Sequence, residues 1–246
     1  VADFFHAELL EAPLMSNQIP IATHKQGFVS AQRLDGGFVS ALEKAALLRL
    51  ASATPAWINS DHLTLLGFLA QCLAGICYGL SRWHRSALLF GILFISLNWL
   101  GDSLDGTLAR FRNRQRPRYG FYVDHVADTI AALFLMAGLA FSGYVHPAIA
   151  FGMLVSFLML SIEAYLATYT LGQFQLSYWK FGPTEIRILL IIGNIALVNH
   201  SVVKLFGVRF RLFDVGGSVA ILGMTTMLVV SAISHTIKLY REETVA

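Results

Sequence analysis

GDSLDGTLARFRNRQRPRYGFYVDHVAD, residues 101–128, carries four aspartates in a stretch flanked on both sides by apolar sequence of membrane-crossing length. Carboxylates beside hydrocarbon are costly, and acids kept there mark a functional site by default. Asp102, Asp105, Gly106 and Ala109 stand at i, i+3, i+4 and i+7, which is one stripe of a helix. Gly120, Asp124 and Asp128 repeat the spacing at i, i+4 and i+8. The loop between is short, so the two helices are expected to be antiparallel neighbours with facing acidic stripes near one membrane surface.

The rest of the chain agrees with a membrane setting. It has 246 residues, of which 56% are hydrophobic and 13% charged, where a soluble domain carries about 25% charged residues. Mean hydropathy is +0.61. A soluble globular fold is excluded, and an all-α polytopic membrane protein is expected. A span needs about 20 largely apolar residues. Six segments qualify, at 63–80, 86–108, 121–143, 147–170, 185–203 and 215–237, so six transmembrane helices make up a domain over 60–240. Before them FVSALEKAALLRLA, residues 38–51, has apolar residues at helical spacing with Lys44 and Arg49 among them, and reads as an amphipathic helix lying on the interface. Residues 1–37 form an N-terminal segment without an assignable role.

Net charge is +3 and the sequence pI about 9.0. In a membrane protein this reflects cytoplasmic loops and anionic headgroups. No basic-aromatic groove or nucleic-acid motif is present. With alternate loops on opposite sides, one side holds Lys25, Arg33, Lys44, Arg49, Arg110, Arg112, Arg114, Arg116, Arg118, Lys180, Arg187, Lys238 and Arg241. The other holds Arg82, Arg85, Lys204, Arg209 and Arg211. This bias puts both termini and the arginine loop in the cytoplasm. Cys72 and Cys77 fall in one apolar segment and read as small buried hydrophobes.

Four converging carboxylates repel one another unless cations neutralise them. Oxygen ligands without His or Cys partners favour Mg²⁺ or Mn²⁺ over zinc. Two such ions about 3.5–4 Å apart can clamp a diphosphate during phosphoryl transfer. A carboxylate not committed to metal can take a proton from an attacking hydroxyl. The plainer alternative is a set of acids paired with Arg110–Arg118 at a helix end. An ion or proton transporter is a further alternative, but its acids would be spread in depth rather than clustered.

Asp102-x-x-Asp105-Gly106-x-x-Ala109-Arg110, nine residues, then Gly120-x-x-x-Asp124-x-x-x-Asp128 resembles the signature of the CDP-alcohol phosphotransferase (CDP-alcohol phosphatidyltransferase) family, with every fixed position present. Upstream, INSDHLTLLG resembles the family's Pro-Asn-x-x-Thr, with Ser60 and Asp61 in place of Pro and Asn and Thr64 kept. The resemblance implies release of CMP from a CDP-linked donor on attack by an alcohol hydroxyl, with two Mg²⁺ or Mn²⁺ ions. It implies Asp102, Asp105 and Asp124 as metal ligands, with Asp128 as general base that also touches a metal. It implies Gly106, Ala109, Arg110 and Gly120 around the CDP moiety, with Gly120 allowing close helix packing. A homodimer is implied by the family alone. The commoner donor is CDP-diacylglycerol, with a small polar alcohol as acceptor and the membrane lipid as one substrate. Asp124-His125 and Gly182-Pro183-Thr184-Glu185 resemble instead the branch that transfers from CDP-choline or CDP-ethanolamine to a lipid alcohol.

Other residues carry two readings. The five arginines of 110–118 anchor the loop at anionic headgroups, or one or two of them, such as Arg118, grip a substrate phosphate. His125 points about 100° away from the acidic stripe, so it is not expected to be a metal ligand. Glu163, inside the fourth span, lines a substrate pocket or partners a neighbouring helix. Glu185 and Arg187 pair locally or line the acceptor site. Asn98 and Gln71 are expected to make interhelical hydrogen bonds.

Overall fold

A computed structural model describes residues 32–33, 40–174, 183–205 and 207–243. The N-terminal segment 1–37 thus lies outside the described residues apart from 32–33, as does Gly182. Seven helices are described: α1 Ser40–Ala53, α2 Ser60–Leu80, α3 Ala87–Phe111, α4 Pro117–Ser142, α5 Pro147–Leu171, α6 Pro183–Asn199 and α7 Leu212–Glu242. Local chemistry sets several ends. Pro117 and Pro147 open α4 and α5, where a missing N–H leaves no hydrogen bond unmade. The same two helices stop at Gly143 and Gly172, with φ of 79° and 66°, a left-handed cap that glycine adopts without steric cost.

Five of the described helices, α2, α3, α4, α5 and α7, are long and apolar enough to cross a membrane. The expected fifth span, 185–203, forms a helix that stops short of the end of its apolar run. Helix α6 has 17 residues, about 25 Å at 1.5 Å per residue, against a hydrocarbon core of about 30 Å. The chain leaves the helix after Asn199, and Val202–Leu205 pairs antiparallel with Val208–Arg211. β-branched and aromatic residues flank a turn with Gly207 at φ 82°, which favours the hairpin over further helix. Helix α6 still runs alongside α3 over much of its length. Near its start Arg187 meets Asn98 and Asp102, and near its end the Leu197 carbonyl accepts from Arg85 Nη2 at 2.9 Å.

Helix α1 forms where expected, but its apolar residues do not make one stripe. Leu47 and Ala51 are buried against Leu63, Leu104 and Leu108, while Leu42, Leu48 and Leu50 are exposed. Glu43 fixes the helix to two others, its Oε1 accepting from Trp99 Nε1 at 2.8 Å, Ser103 Oγ at 3.1 Å and Thr184 Oγ1 at 2.9 Å.

Helix α2 organises the site. A Cβ placed on Gly101 of α3 would lie 2.5 Å from the Gly67 nitrogen and 2.6 Å from the Leu63 carbonyl oxygen. One placed on Gly138 of α4 would lie 1.8 Å from the Gly75 carbonyl oxygen. Without hydration to drive helices together in lipid, such close backbone approach is what holds them. Helices α3 and α4 therefore pack along α2 rather than along each other. This corrects the expectation of directly adjacent acidic helices: the two are antiparallel, but α2 lies between them and floors a cleft.

Candidate active site

The cleft is lined by Thr64, Gly67 and Phe68 of α2, by Asn98, Asp102 and Asp105 of α3, and by Asp124, Ala127 and Asp128 of α4. The glycine crossing sets its depth. Gly101 immediately precedes Asp102, so the closest α2–α3 approach delivers that carboxylate to the cleft, one turn above Asp105. On α4, Asp124 and Asp128 are one turn apart and enter from the opposite wall.

Oxygens of Asp102, Asp124 and Asp128 lie within 4.8 Å of one another, a donor set able to hold a metal ion. The chemistry of that set is hard and anionic, which suits Mg²⁺ or Mn²⁺. Asp105 lines the same cleft with its oxygens engaged locally. Its Oδ2 accepts from Thr64 Oγ1 at 2.6 Å, and its Oδ1 accepts from the backbone N–H of Gly106. Thr64 thus joins α2 to the acidic stripe at the one position kept from the upstream pattern.

Two polar residues complete the α3 wall. Arg187 of α6 donates from Nη2 to Asp102 Oδ2 at 2.7 Å and from Nε to Asn98 Oδ1 at 2.8 Å. Asn98, buried, donates from Nδ2 to the Gly67 carbonyl at 3.0 Å, the interhelical bond expected of it. Arg187 therefore does not simply pair with its neighbour Glu185, but reaches across to an aspartate of the trio. A guanidinium within an apolar helix needs an anionic partner, which is the one sequence signal that points to this contact. Glu43 was missed altogether. The signal was Trp99, whose indole N–H in an apolar span must find an acceptor.

The remaining expected residues fall at graded distances from the trio. The Arg110 guanidinium lies over Gly106, 3.3 Å from where a Cβ would be, and donates to Thr107 Oγ1 at 3.3 Å. Ala109, on the same face, is half-buried. Gly120 does not serve close packing as expected, since a Cβ there meets nothing described within 4 Å; it leaves open space at the α4 start. Arg118 is exposed. Arg112 donates to the carbonyls of Thr54 at 2.8 Å and Pro55 at 3.0 Å and also to that of Ile58, tying the α1–α2 link to the end of α3. Arg116 pairs with Asp61 and lies 4.2 Å over the Tyr119 ring, and the Asp61 hydrogen bond raises its already high pKa. Two of the five arginines thus brace the loop.

Glu163 is outside the lining of the cleft. It meets His235 of α7 at 2.6 Å, the neighbouring-helix role rather than the pocket role. Glu185 is half-buried at the start of α6 and also outside that lining. His125 Nδ1 lies 2.7 Å from the Phe121 carbonyl, and its ring stacks on Phe121 at 4.1 Å and meets Tyr165 edge-on at 4.9 Å. The imidazole faces an aromatic cluster, as its helical offset from the stripe requires.

No curated protein sequence matches the chain. The family model for CDP-alcohol phosphatidyltransferase matches residues 57–236, from just before α2 to within α7, and so encloses the floor and both walls of the cleft. With that match over most of its 246 residues, the chain belongs to the CDP-alcohol phosphatidyltransferase family, integral membrane transferases that move a phosphate-linked group from a CDP-alcohol donor to an alcohol acceptor.

Proposed function

We propose that this enzyme transfers a phosphatidyl group from CDP-diacylglycerol to a small polar alcohol, releasing CMP, with two Mg²⁺ or Mn²⁺ ions held by the aspartates of the cleft. The observation that carries this reading is the convergence of Asp102, Asp124 and Asp128 from opposite walls. Family membership removes the ion-transporter alternative and brings a general dependence on divalent metal. Bound there, the cations would neutralise the donor diphosphate and the charge that develops as CMP leaves.

The chain's own residues supply the rest. Asp102 and Asp124 hold the cation site from the two walls, with Asp105 kept in line by Thr64. Asp128, half-buried on the α4 wall, takes the proton of the acceptor hydroxyl as its oxygen attacks phosphorus. The bond to CMP breaks on the opposite side of phosphorus. Gly106 and Ala109 present a small-residue face where the cytidine nucleotide can approach the α3 backbone. Arg110 lies beside it for the phosphates, and Gly120 keeps the opposite lip open. Arg118, at the exposed α4 start, is a further phosphate contact.

The cleft opens at the cytoplasmic surface in this reading, supported by the crowding of Lys and Arg at the α3–α4 end. Six passes are supported by α6, which accompanies α3 from Asp102 back to the turn at Arg85 that precedes it, despite its length. Helix α1 then rests at the interface above the cleft.

One observation favours a second reading, with CDP-choline or CDP-ethanolamine as donor and a lipid alcohol as acceptor. The helix begun by Pro183-Thr184-Glu185 delivers Arg187 to Asp102, so that segment is part of the site's surroundings. A cross-panel separates the two. Purified protein is offered CDP-diacylglycerol, CDP-choline and CDP-ethanolamine with polar and lipid alcohols, and products are read by mass. The first reading expects a phosphatidyl product from CDP-diacylglycerol only. Product from CDP-choline and diacylglycerol, with none from CDP-diacylglycerol, overturns it in favour of the second.

A further inference from the structure

Arg187 sits where a cation would be expected to bind. Its side chain is only 14% exposed, and it spends two donors on the cleft, one on Asp102 and one on Asn98. It is anchored from both sides. Asn98 is itself bonded to the Gly67 carbonyl at the α2–α3 crossing. Three residues before Arg187, Thr184 donates to Glu43, which also holds Trp99 and the neighbour of Asp102, Ser103. The guanidinium is therefore built into the α3–α6 seam rather than resting on a convenient acid. Its position has an electrostatic consequence. Three carboxylates within 4.8 Å repel one another, and a fixed positive charge on one of them relieves that repulsion. The same charge opposes any divalent cation that arrives.

We propose that Arg187 is an internal competitor for the divalent cation, holding Asp102 when the cleft is empty of metal and lowering the trio's affinity for Mg²⁺ or Mn²⁺. This rests on the metal reading of the trio proposed above. Its use is to keep the aspartates assembled without metal and to leave strong cation binding to the moment when a substrate diphosphate adds its own negative charge. Arg187 is a positioning residue in this account, acting through Asp102.

The sign of one substitution separates this from a purely supporting role. A residue that only orients Asp102 would, when lost, weaken metal binding. A competing charge would, when lost, strengthen it. Even at water-like dielectric a unit charge several ångströms from a divalent ion changes its affinity by about tenfold. The experiment is a Mn²⁺ titration of the full chain in detergent, without nucleotide, followed by the electron paramagnetic resonance of free Mn²⁺. Arg187→Gln should bind Mn²⁺ about tenfold more tightly than wild type or better. Arg187→Lys, which keeps the charge, should not show that gain. In an Asp102→Asn background, where the competed carboxylate is gone, adding Arg187→Gln should change affinity less. Asn98→Ala, which removes the guanidinium's second anchor, should tighten binding in the same direction and serves if Arg187→Gln does not fold. Wild type that binds Mn²⁺ while the folded variants bind equally or more weakly overturns the competitor alone. Wild type and variants that all fail to bind Mn²⁺ overturn the metal reading and this inference with it.

Discussion

A single methyl group at Gly101 should disable the enzyme more than it destabilises it. The Cβ of Gly101→Ala would sit 2.5 Å from the Gly67 nitrogen, 2.6 Å from the Leu63 carbonyl oxygen and 2.7 Å from the Gly67 Cα. All three are backbone atoms, so no side chain can swing away. Relief to ordinary contact, about 3.5–4.0 Å between carbon atoms, requires α3 to move off α2 by about 1 Å at this level. Overpacking of this kind costs about 1–3 kcal/mol, less than most domains hold in reserve. The displacement, however, falls on the residue before Asp102 and the partner strip of Asn98. A misplacement of about 1 Å at a reacting centre can cost about a hundredfold in rate. The assay is acceptor-dependent CMP release beside a thermal melt, in the same detergent, with two controls. Gly79→Ala, on α2 but with nothing within 4 Å of its Cβ, should leave both unchanged. Gly138→Ala, whose Cβ would lie 1.8 Å from the Gly75 carbonyl oxygen, should lower the melt with a smaller loss of rate, because that crossing is far along α2 from the cleft. Wild-type turnover in Gly101→Ala would refute the claim that this crossing sets the geometry of the site.

Asp128→Asn should lower turnover by about a hundredfold to ten-thousandfold, the range for loss of a positioned base; turnover near wild type in a rate assay would remove it as the base. Thr64→Val should leave the fold intact but free the Asp105 carboxylate, lowering turnover several-fold, as CMP release would show. Glu163→Gln should weaken the contact to His235 of α7, costing about 1–3 kcal/mol in a denaturation measurement, while CMP release changes little. A large fall in rate at unchanged stability would return Glu163 to the substrate pocket. Arg112→Ala should lower the melt by releasing the carbonyls of Thr54, Pro55 and Ile58, with the α1–α2 link becoming sensitive to protease.

Helical spacing carried most of the site. Asp102, Asp124 and Asp128 converge because i, i+4 periodicity on two helices leaves few other arrangements once the helices are antiparallel. Pro117, Gly143, Pro147 and Gly172 made the bounds of α4 and α5 readable, since each acts through its own backbone. What stood between α3 and α4 was not readable. The glycines at 67, 75, 101 and 138 looked ordinary in sequence, and only their pairing in space reveals that α2 is the floor of the cleft. Hydropathy carries the fifth apolar run to 203 because it does not distinguish Val202-Val203 in a strand from the same residues in a helix. The roles of Arg187 and Glu43 are not legible in sequence for a related reason. Their partners, Asp102 and the Trp99–Ser103–Thr184 set, lie 56 to 141 residues away in sequence, and no local pattern announces a contact of that range. The match of residues 57–236 to the family reaches well beyond the aspartate motif, so the scaffold as well as the signature belongs to this chemistry.

In the proposed reaction the aspartate cleft releases CMP from a CDP-linked lipid donor by a metal-dependent attack of an alcohol. The decisive measurement follows CMP formation by purified protein with CDP-diacylglycerol, Mn²⁺ or Mg²⁺ and a polar alcohol, before and after chelation. CMP should appear only with acceptor present, stop on chelation and return when the cation is restored. CMP formation that continues undiminished in chelator, or that is equal with Asp102, Asp124 and Asp128 all replaced by Asn, would contradict it.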